Sequence, residues 1–234
     1  MDLKEQEILG SAIDSHWYYR SKARALERML PAGFNRIAMD VGAGSGYFSQ
    51  HLAKRGLIDE AICIDPGYPA DHDEKIDNAT IAYRKTPKAS DAGVAIFMDV
   101  LEHVEDDAGL LSSYRDFLPP TATSIITVPA FKFMWSGHDV FLEHHRRYTV
   151  QSLTETIERA GYRPIRVHYF YGMVFPAALA MRLLSPDRME IKSHLQTHSN
   201  VVNSALYAAS LFELPFMKWN RLFGLSVCAT CQPR

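Results

Sequence analysis

The chain has 234 residues, of which 47% are apolar and 22% are charged, and its formal net charge is -2. A chain of this length buries one sizeable core and is too short for two comfortable domains, so we expect a single compact domain. The 25 basic and 27 acidic residues nearly balance. No overall field would therefore gather nucleic acid or anionic lipid, which argues against a phosphate-backbone binder.

The first ten residues, MDLKEQEILG, are polar and acidic, whereas a secretory signal needs a basic start and then an apolar run. We therefore expect a cytoplasmic protein. Three cysteines are too few for a disulfide framework. Cys228 and Cys231 lie three apart in an apparent strand and so point to opposite faces, which favours incidental packing over metal or redox chemistry.

The first thirty residues are typical of a helix, because apolar side chains repeat at helical spacing up to a stop at 31–33. Short β-rich runs then alternate with helical stretches, at 36–41, 60–65, 79–83, 94–100 and 124–128. This alternation indicates a parallel sheet covered by helices.

A further helix is predicted over 149–162, with Thr149 as its N-cap and Gly161 as its stop, and a strand over 164–170 should follow it. The apolar stretch 169–184 is interrupted by proline and arginine well short of the ~20 residues that a membrane span requires. The polar segment 185–200 is expected to be a mobile surface excursion. Helical spacing then resumes, and the strand GLSVCAT closes the chain.

A glycine-rich loop, DVGAGSG at 40–46, falls between a predicted strand and a helix, where glycines let the backbone approach a ligand closely. The third glycine of a dinucleotide fingerprint would stand at position 47, which is Tyr47, so NAD binding is disfavoured. Asp65 ends the next strand roughly 20 residues later, where an acid accepts hydrogen bonds from ribose hydroxyls. An adenosine with a free ribose is the implied ligand.

A third element, FMDVLEH at 97–103, also ends a strand, at the edge where open α/β sheets bind ligands. Glu102 and His103 have two interpretations here, as helix-start charge with a local cap or as direct ligands. In either case three loops converge on one crevice.

The chain resembles the class I S-adenosylmethionine (SAM)-dependent methyltransferases, in particular the group related to ubiquinone-biosynthesis methyltransferases and to those encoded beside polyprenyl-linked sugar enzymes. The resemblance is carried by HWYYR at 16–20, DVGAGSG at 40–46, CIDP at 63–66, MDVLEHVED at 98–106, HDVFLEHHRRYT at 138–149 and FGLSV at 223–227.

The resemblance implies an α/β fold: a Rossmann-like, doubly wound, mostly parallel seven-stranded sheet with an N-terminal helical lid and a helical insertion before the last strand. One SAM-dependent methyltransferase domain would then span 1–234. Its parts would be the lid at 1–30, the cofactor-binding core at 34–171, the insertion at 172–222, and the final strand and tail at 223–234.

The resemblance also implies the cofactor, SAM, and its product, S-adenosylhomocysteine. It assigns Asp65 to the ribose, and Met98 and Asp99 to the border of the sulfonium. The methionine portion falls to Asp40, Gly42, Ala43 and Gly44, and the lid contacts fall to Trp17, Tyr18 and Arg20. Similar enzymes commonly have glycine where this chain has Glu143, and the segment 83–87 departs from their adenine turn.

The loop after the fifth strand is crowded with polar groups that face the acceptor side. A hydroxyl or amine acceptor profits from a base, and a carboxylate acceptor from arginines. The leading candidate is His144 as base or acceptor-orienting group, with His138, Arg146, Arg147 and Tyr148 around the acceptor.

The alternative is that Arg146 and Arg147 make ion pairs with Asp139 or Glu143 and fix the loop. No metal is expected, because the adjacent His144 and His145 diverge and no dedicated carboxylate spacing accompanies them.

The predicted function is methyl transfer to an oxygen, nitrogen or carboxylate of a small-molecule, lipid-linked or peptide acceptor in a biosynthetic or tailoring pathway, with oxygen favoured over nitrogen. The alternative is a SAM-binding regulatory or scaffold protein without turnover. The apolar segments 169–184 and 211–216 are interpreted as core, although they could also wall a greasy pocket or make a peripheral membrane contact.

Overall fold

A computed structural model describes residues 10–184 and 199–234. Eight strands form one sheet: β1 Ile37–Val41, β2 Glu60–Ile64, β3 His72–Ile76, β4 Ala79–Arg84, β5 Val94–Met98, β6 Thr123–Pro129, β7 Tyr162–Phe170 and β8 Ser226–Pro233. The helices of the described residues are α1 Trp17–Met29, α2 Tyr47–Lys54, α3 Asp107–Arg115, α4 Gly137–Phe141, α5 Val150–Arg159, α6 Phe175–Leu184 and α7 Asn200–Glu213.

The strand order is β3-β4-β2-β1-β5-β6-β8-β7. The five strands from β4 to β6 in this order run parallel, while β8 is antiparallel to both of its neighbours. The carboxyl ends of β1, β2, β5 and β6 therefore lie along one edge of the sheet, and the loops that follow them meet there.

The expectation of seven strands was wrong, because β3 adds an eighth at the edge. It pairs antiparallel with β4 through a tight turn at Asp77, whose φ is 52°. The sequence of β3, HDEKI, is charged and almost fully exposed, so it carries no hydrophobic alternation that could reveal it. A charged edge strand of this kind also resists pairing with other chains.

Two apolar clusters cover the two faces of the sheet. Ile96 and Phe97 are consecutive in β5 and are both buried, the first in the cluster under α1 and the second in the cluster under α5. Cys228 and Cys231 divide between the same two clusters, as expected for residues three apart in a strand. Both thiols are buried and free, and burial raises the pKa of each to about 12.

The N-terminal helix was expected to be a lid, but it packs closely into the core. Tyr19, Ala23 and Leu26 of α1 are at most 1% exposed, because one face of the helix lies on the sheet and the helix also contacts α7. A short 3-10 turn, Gly10–Asp14, precedes it.

The helical insertion contains α6 and α7. No helix among the described residues has the length and apolar character of a membrane span. The expected mobile excursion at 185–200 falls almost wholly on 185–198, which lie outside the described residues.

The predicted N-cap of α5 is confirmed. Thr149 Oγ1 accepts a hydrogen bond from the backbone N–H of Ser152 at 3.1 Å, and Ser152 Oγ reciprocally accepts from the N–H of Thr149 at 2.9 Å. Leu153 and Ile157 then face the core and are fully buried. This box fixes where α5 starts.

We expect Thr149→Ala to lower the free energy of unfolding by about 1 kcal/mol, because the N–H of Ser152 loses its acceptor. Urea unfolding followed by circular dichroism measures the change. The matched variant Thr149→Ser keeps the hydroxyl and should retain most of the stability. Equal losses in the two variants would contradict a capping role.

Asp40 in β1 is a buried carboxylate with a neutral partner. Its side chain is 2% exposed, and its Oδ2 accepts a hydrogen bond from Ser49 Oγ of α2 at 2.7 Å. Burial raises the pKa of Asp40 to about 6, against an ordinary value near 3.8. The folded chain therefore destabilises the charged form of this side chain relative to the unfolded chain.

Asp40→Asn should stabilise the fold at neutral pH. The raised pKa of Asp40 costs the wild type stability progressively as pH rises from about 4 to about 6, whereas below pH 4 both chains are neutral at this position. The gain should reach roughly 2 to 3 kcal/mol above pH 6, since asparagine can still accept from Ser49. Denaturant unfolding from pH 3.5 to 8 measures it, and a gain independent of pH would contradict the assignment.

Candidate active site

The glycine loop after β1 needs glycine for two physical reasons. Gly42, Gly44 and Gly46 have φ values of 63°, 54° and 72°, in the left-handed region that other residues avoid. A Cβ at Gly42 would also lie 2.9 Å from the side chain of Val100. The loop therefore turns tightly into α2 and leaves its backbone open to a ligand.

Asp65, directly after β2, is oriented toward this loop. One carboxylate oxygen accepts from the N–H of Gly44 at 3.0 Å, and the other accepts from the N–H of Gly67 at 2.8 Å. Each oxygen keeps a further lone pair. The side chain is only partly buried, so these lone pairs remain available to a ligand.

Two adjoining cavities lie at this edge of the sheet. The first, which we call the larger cavity, has a volume of about 510 Å³ and opens beside these residues. Its polar lining includes Asp65, Asp99, His103 and His145, and its apolar walls come from Val41, Ile64, Val100, Val104, Leu110, Tyr114 and Leu142. A mostly apolar cleft with a few convergent polar groups is typical of a site for a small organic ligand.

Asp99, the residue after β5, is held by a cation and two hydroxyls. Lys22 Nζ pairs with its Oδ2, Tyr18 Oη donates to the same oxygen at 3.1 Å, and Thr127 Oγ1 donates to Oδ1 at 3.2 Å. Burial raises the pKa of Asp99, but Lys22 beside it outweighs burial and the net shift is downward. The φ of Asp99 is 55°, a strained value for a residue other than glycine.

Glu102 lies one turn further along and has no such partner. It is fully buried, and neither carboxylate oxygen has a hydrogen-bond partner in the described part of the chain. Burial, with the negative charge of Asp99 as the next cause, raises the pKa of Glu102 well above its ordinary value. An unsatisfied buried carboxyl is costly, so its presence points to a functional role.

A second cavity of about 200 Å³, the smaller cavity, lies against the first. The two share Asp99, His103 and Leu142 in their walls. The rest of the lining of the smaller cavity includes Tyr18, Glu102, Pro129, Met134, His138, His144, Arg147, Ala178, Arg182 and Leu225. Ligands in the two cavities would therefore meet beside Asp99 and His103.

His144 lines the smaller cavity with a buried carboxylate behind it. Its Nδ1 lies 3.0 Å from Oδ1 of Asp139, which also accepts from Arg147 Nε at 2.6 Å. Burial raises the pKa of Asp139, but the hydrogen bond from His144 and the charge of Arg147 outweigh burial and lower it. Because an ionised carboxylate only accepts, Nδ1 of His144 carries hydrogen and the other ring nitrogen, Nε2, is left for a ligand.

The loop that carries His144 is fastened to the turn that carries Glu102 and His103. The N–H of His145 donates to the carbonyl of Glu102 at 2.7 Å. Arg146 donates to the carbonyls of Val104 at 3.1 Å and of Glu105 at 2.6 Å. Hydrogen bonds to backbone carbonyls thus fix the position of one loop relative to the other.

The structure brings several predicted site residues to these cavities. Gly42, Asp65 and Asp99 line the larger cavity, while Tyr18, His138, His144 and Arg147 line the smaller one.

Other predicted residues face elsewhere. Tyr148 donates to Asp107 at 2.9 Å and Arg146 pairs with the same carboxylate at 3.2 Å, so both hold the loop. Arg20 stacks on Tyr207 of α7 at 3.9 Å, and Trp17 packs edge-on against Tyr171. Asp40, Ala43 and Met98 are buried and line neither cavity.

Two residues at the site, Lys22 and Asp107, escaped the sequence-based candidates. Lys22 is fully buried beside Asp99, and the available signal was a lysine on the apolar stripe of α1, one turn before Leu26. Asp107 anchors Arg146 from another helix, and an acidic residue in an ordinary helical segment gave no sign of it. The expected alternative, in which an arginine of the loop pairs with Asp139, is found for Arg147.

The comparisons with known proteins agree with this geometry. The family described as "Methyltransferase domain" matches residues 15–167, more than half of the chain. No curated protein matches the chain by sequence.

Solved structures share the fold at low identity. A chain from the complex of the Haloferax volcanii Trm112 methyltransferase activator with a methyltransferase is 15% identical, with a TM-score of 0.60 over 99% of this chain and 94% of that one. A SAM-dependent methyltransferase from Archaeoglobus fulgidus is 16% identical, with a TM-score of 0.51 over 91% and 93%.

Phosphoethanolamine N-methyltransferase 2 from Haemonchus contortus, solved with phosphomonomethylethanolamine and S-adenosylhomocysteine, is 16% identical. Its TM-score is 0.57 over 98% of this chain and 56% of that one. The residues at the larger cavity fit such a cofactor, since Gly42 and Asp65 line it and a Cβ at Gly42 would fill the space beside Val100 in its wall. The chain belongs to the methyltransferase domain family, and its cofactor is S-adenosylmethionine.

Proposed function

We propose that the protein transfers a methyl group from SAM to an oxygen, nitrogen or carboxylate of a small-molecule, lipid-linked or peptide acceptor, with oxygen favoured, in a biosynthetic or tailoring pathway. The observation that carries this proposal is the junction of the two cavities beside Asp99 and His103, with His144 in the wall of the smaller cavity and Asp139 behind it. A protein that only binds SAM has no need of a second cavity with a positioned histidine.

The larger cavity supports binding of the adenosine part. The carboxylate of Asp65 accepts hydrogen bonds from the ribose hydroxyls with its remaining lone pairs. Its position after β2 predicts this role. Val100, Leu110 and Tyr114 form apolar walls that suit the flat faces of an adenine ring. The glycine loop and Asp99 are left for the methionine part and the sulfonium.

The smaller cavity supports the acceptor role of His144. Bound SAM supplies an electrophilic methyl group, and as the acceptor oxygen forms its bond to that carbon the C–S bond breaks and its electron pair stays on sulfur. His144 Nε2 takes the proton of the acceptor or orients the acceptor by a hydrogen bond. Asp139 fixes the ring and stabilises the charge it gains, while Arg147 keeps Asp139 ionised.

The surface around α6 and α7 supports a lipid-linked acceptor. Ala178 and Arg182 of α6 line the smaller cavity. Eleven of the fourteen exposed large hydrophobic side chains among the described residues lie between Met173 and Phe223, and they include Phe212 and Trp219. An exposed apolar surface of this kind next to an acceptor cavity suits a polyisoprenoid or quinone-like acceptor better than a small polar one. A methyl-transfer screen with labelled SAM and acceptors of both kinds decides between them.

Asp65→Ala should weaken the binding of SAM and S-adenosylhomocysteine by about 1 to 3 kcal/mol, because charged hydrogen bonds to the ribose are lost. Calorimetric titration measures both affinities, with NAD as a ligand that should not bind. Asp116→Ala, at an exposed aspartate after α3, is the matched control and should bind as the wild type does. Unchanged affinity in the Asp65 variant would remove this residue from the ribose site.

His144→Ala should lower the turnover number by ~10²-fold or more while leaving SAM affinity unchanged, because the acceptor loses its base or orienting group. Turnover is measured with labelled SAM and the best acceptor from the screen. His51→Ala is the control, since His51 of α2 pairs with Glu27 and lines neither cavity. Full activity of the His144 variant would discard the assignment.

A further inference from the structure

We propose that Glu102, His103 and His144 form a binding site for a divalent transition-metal ion such as Zn²⁺. One ligand atom from each of the three side chains lies within 4.8 Å of the other two. The imidazole rings of His103 and His144 are 4.6 Å apart between centroids and nearly perpendicular. Two histidines and a carboxylate are a ligand set that divalent zinc and related ions prefer.

The unsatisfied carboxylate of Glu102 is the observation that points to a ligand. Two carboxylates line the smaller cavity, Asp99 and Glu102, and a third, Asp139, lies behind His144. Lys22 pairs with Asp99 and Arg147 pairs with Asp139, but Glu102 is left without a hydrogen bond or ion pair in the described part of the chain. Its two oxygens are buried, so bulk water does not compensate them. A divalent cation at this point would supply the missing partner.

The carboxylate that would orient a metal-binding His144 is already in place. A histidine that binds a metal commonly donates its other ring N–H to a carboxylate, which fixes the ring and makes it a better ligand. His144 has this arrangement, because Nδ1 faces Asp139 and Nε2 is left for the ion. Asp139 is fixed in turn by Arg147 and by the N–H of Ser136 at 2.9 Å.

The backbone holds the two loops at the required separation. The N–H of His145 donates to the carbonyl oxygen of Glu102 at 2.7 Å, and this hydrogen bond holds the backbones of the two loops together. In a tetrahedral zinc site neighbouring ligand atoms are roughly 3.4 Å apart, given bonds of about 2.1 Å. Side-chain rotations that move the ligand atoms by about 1 Å therefore close the present arrangement around an ion.

The expectation that this chain holds no metal rested on the divergence of His144 and His145. These two side chains do separate, since His144 lines the smaller cavity and His145 the larger one. The two ligands that accompany His144 are instead Glu102 and His103, about forty residues earlier in the chain. Sequence spacing alone could not show this cluster.

The inference deepens the proposed function. Three protein ligands leave a fourth position open toward the smaller cavity, where the acceptor is proposed to bind. An acceptor hydroxyl that coordinates the ion loses its proton to water more readily. His144 then takes the second of its two proposed roles and orients the acceptor through the ion.

Metal-free protein, prepared with a chelator and dialysed, is titrated with Zn²⁺ by calorimetry and with Co²⁺ by visible absorption. We expect one equivalent to bind, with the visible bands of Co²⁺ in a four- or five-coordinate site. Glu102→Gln should weaken the affinity at least ~10-fold, because it removes the charge and a ligand oxygen while keeping the shape. His144→Asn should weaken it similarly without changing the buried charge.

The matched controls are Glu105→Gln, at an exposed glutamate on the same turn, and His145→Asn, at the adjacent histidine in the other cavity. Both should bind the ion as the wild type does. Absence of stoichiometric binding in the wild type, or equal affinities in Glu102→Gln and Glu105→Gln, would overturn the site. Circular dichroism of each variant verifies folding.

Titration of the same samples with S-adenosylhomocysteine separates this inference from the proposed function. Binding of S-adenosylhomocysteine without Zn²⁺ binding overturns the metal site and leaves methyl transfer standing. Zn²⁺ binding without S-adenosylhomocysteine binding supports the metal site and overturns the proposed cofactor cavity.

Discussion

Parallel strands end side by side, and this constraint organises the whole site. The loops after β1, β2, β5 and β6 must all leave the same edge of the sheet, so residues from distant parts of the chain share one crevice. Each of these strands is followed by one part of the site: β1 by the glycine loop, β2 by Asp65, β5 by Asp99, and β6 by the loop that carries His144. No special long-range contact is needed to bring these residues together, because the strand order places them all at the same edge.

Buried negative charge is the main energetic cost of this edge, and each carboxylate is compensated in a different way. Asp99 has an ion pair with Lys22, and Asp139 has a bidentate arginine together with His144. Asp40 has only the hydroxyl of Ser49, and Glu102 has no partner in the described residues. Asp40 lies in the core outside both cavities. Unpaired buried acids are rarely kept for stability, so Glu102, which lines the smaller cavity, marks a position where a ligand completes the site.

The ion pair between Lys22 and Asp99 also couples the N-terminal helix to the chemistry. Tyr18 and Lys22 lie one turn apart on α1, and both reach Asp99 at the border of the two cavities. Since the same helix also packs in the core through Ala23 and Leu26, its position is set by the core. The helix therefore works less as a free lid than as a fixed wall of the site, with its position tied to the charge on Asp99.

The sequence by itself determined what depends on local chemistry. The alternation of strands and helices predicted seven of the eight strands, and the cap at Thr149 predicted the start of α5. The glycine loop with Asp65 indicated an adenosine ligand, and the family resemblance implied that this ligand is SAM. Only the tertiary structure decided that β3 joins the edge, that Lys22 pairs with Asp99, and that Glu102 and His103 meet His144. The physical reason is range: periodicity and turn chemistry act between residues a few positions apart, whereas these contacts join segments distant in the chain whose meeting depends on strand order and packing.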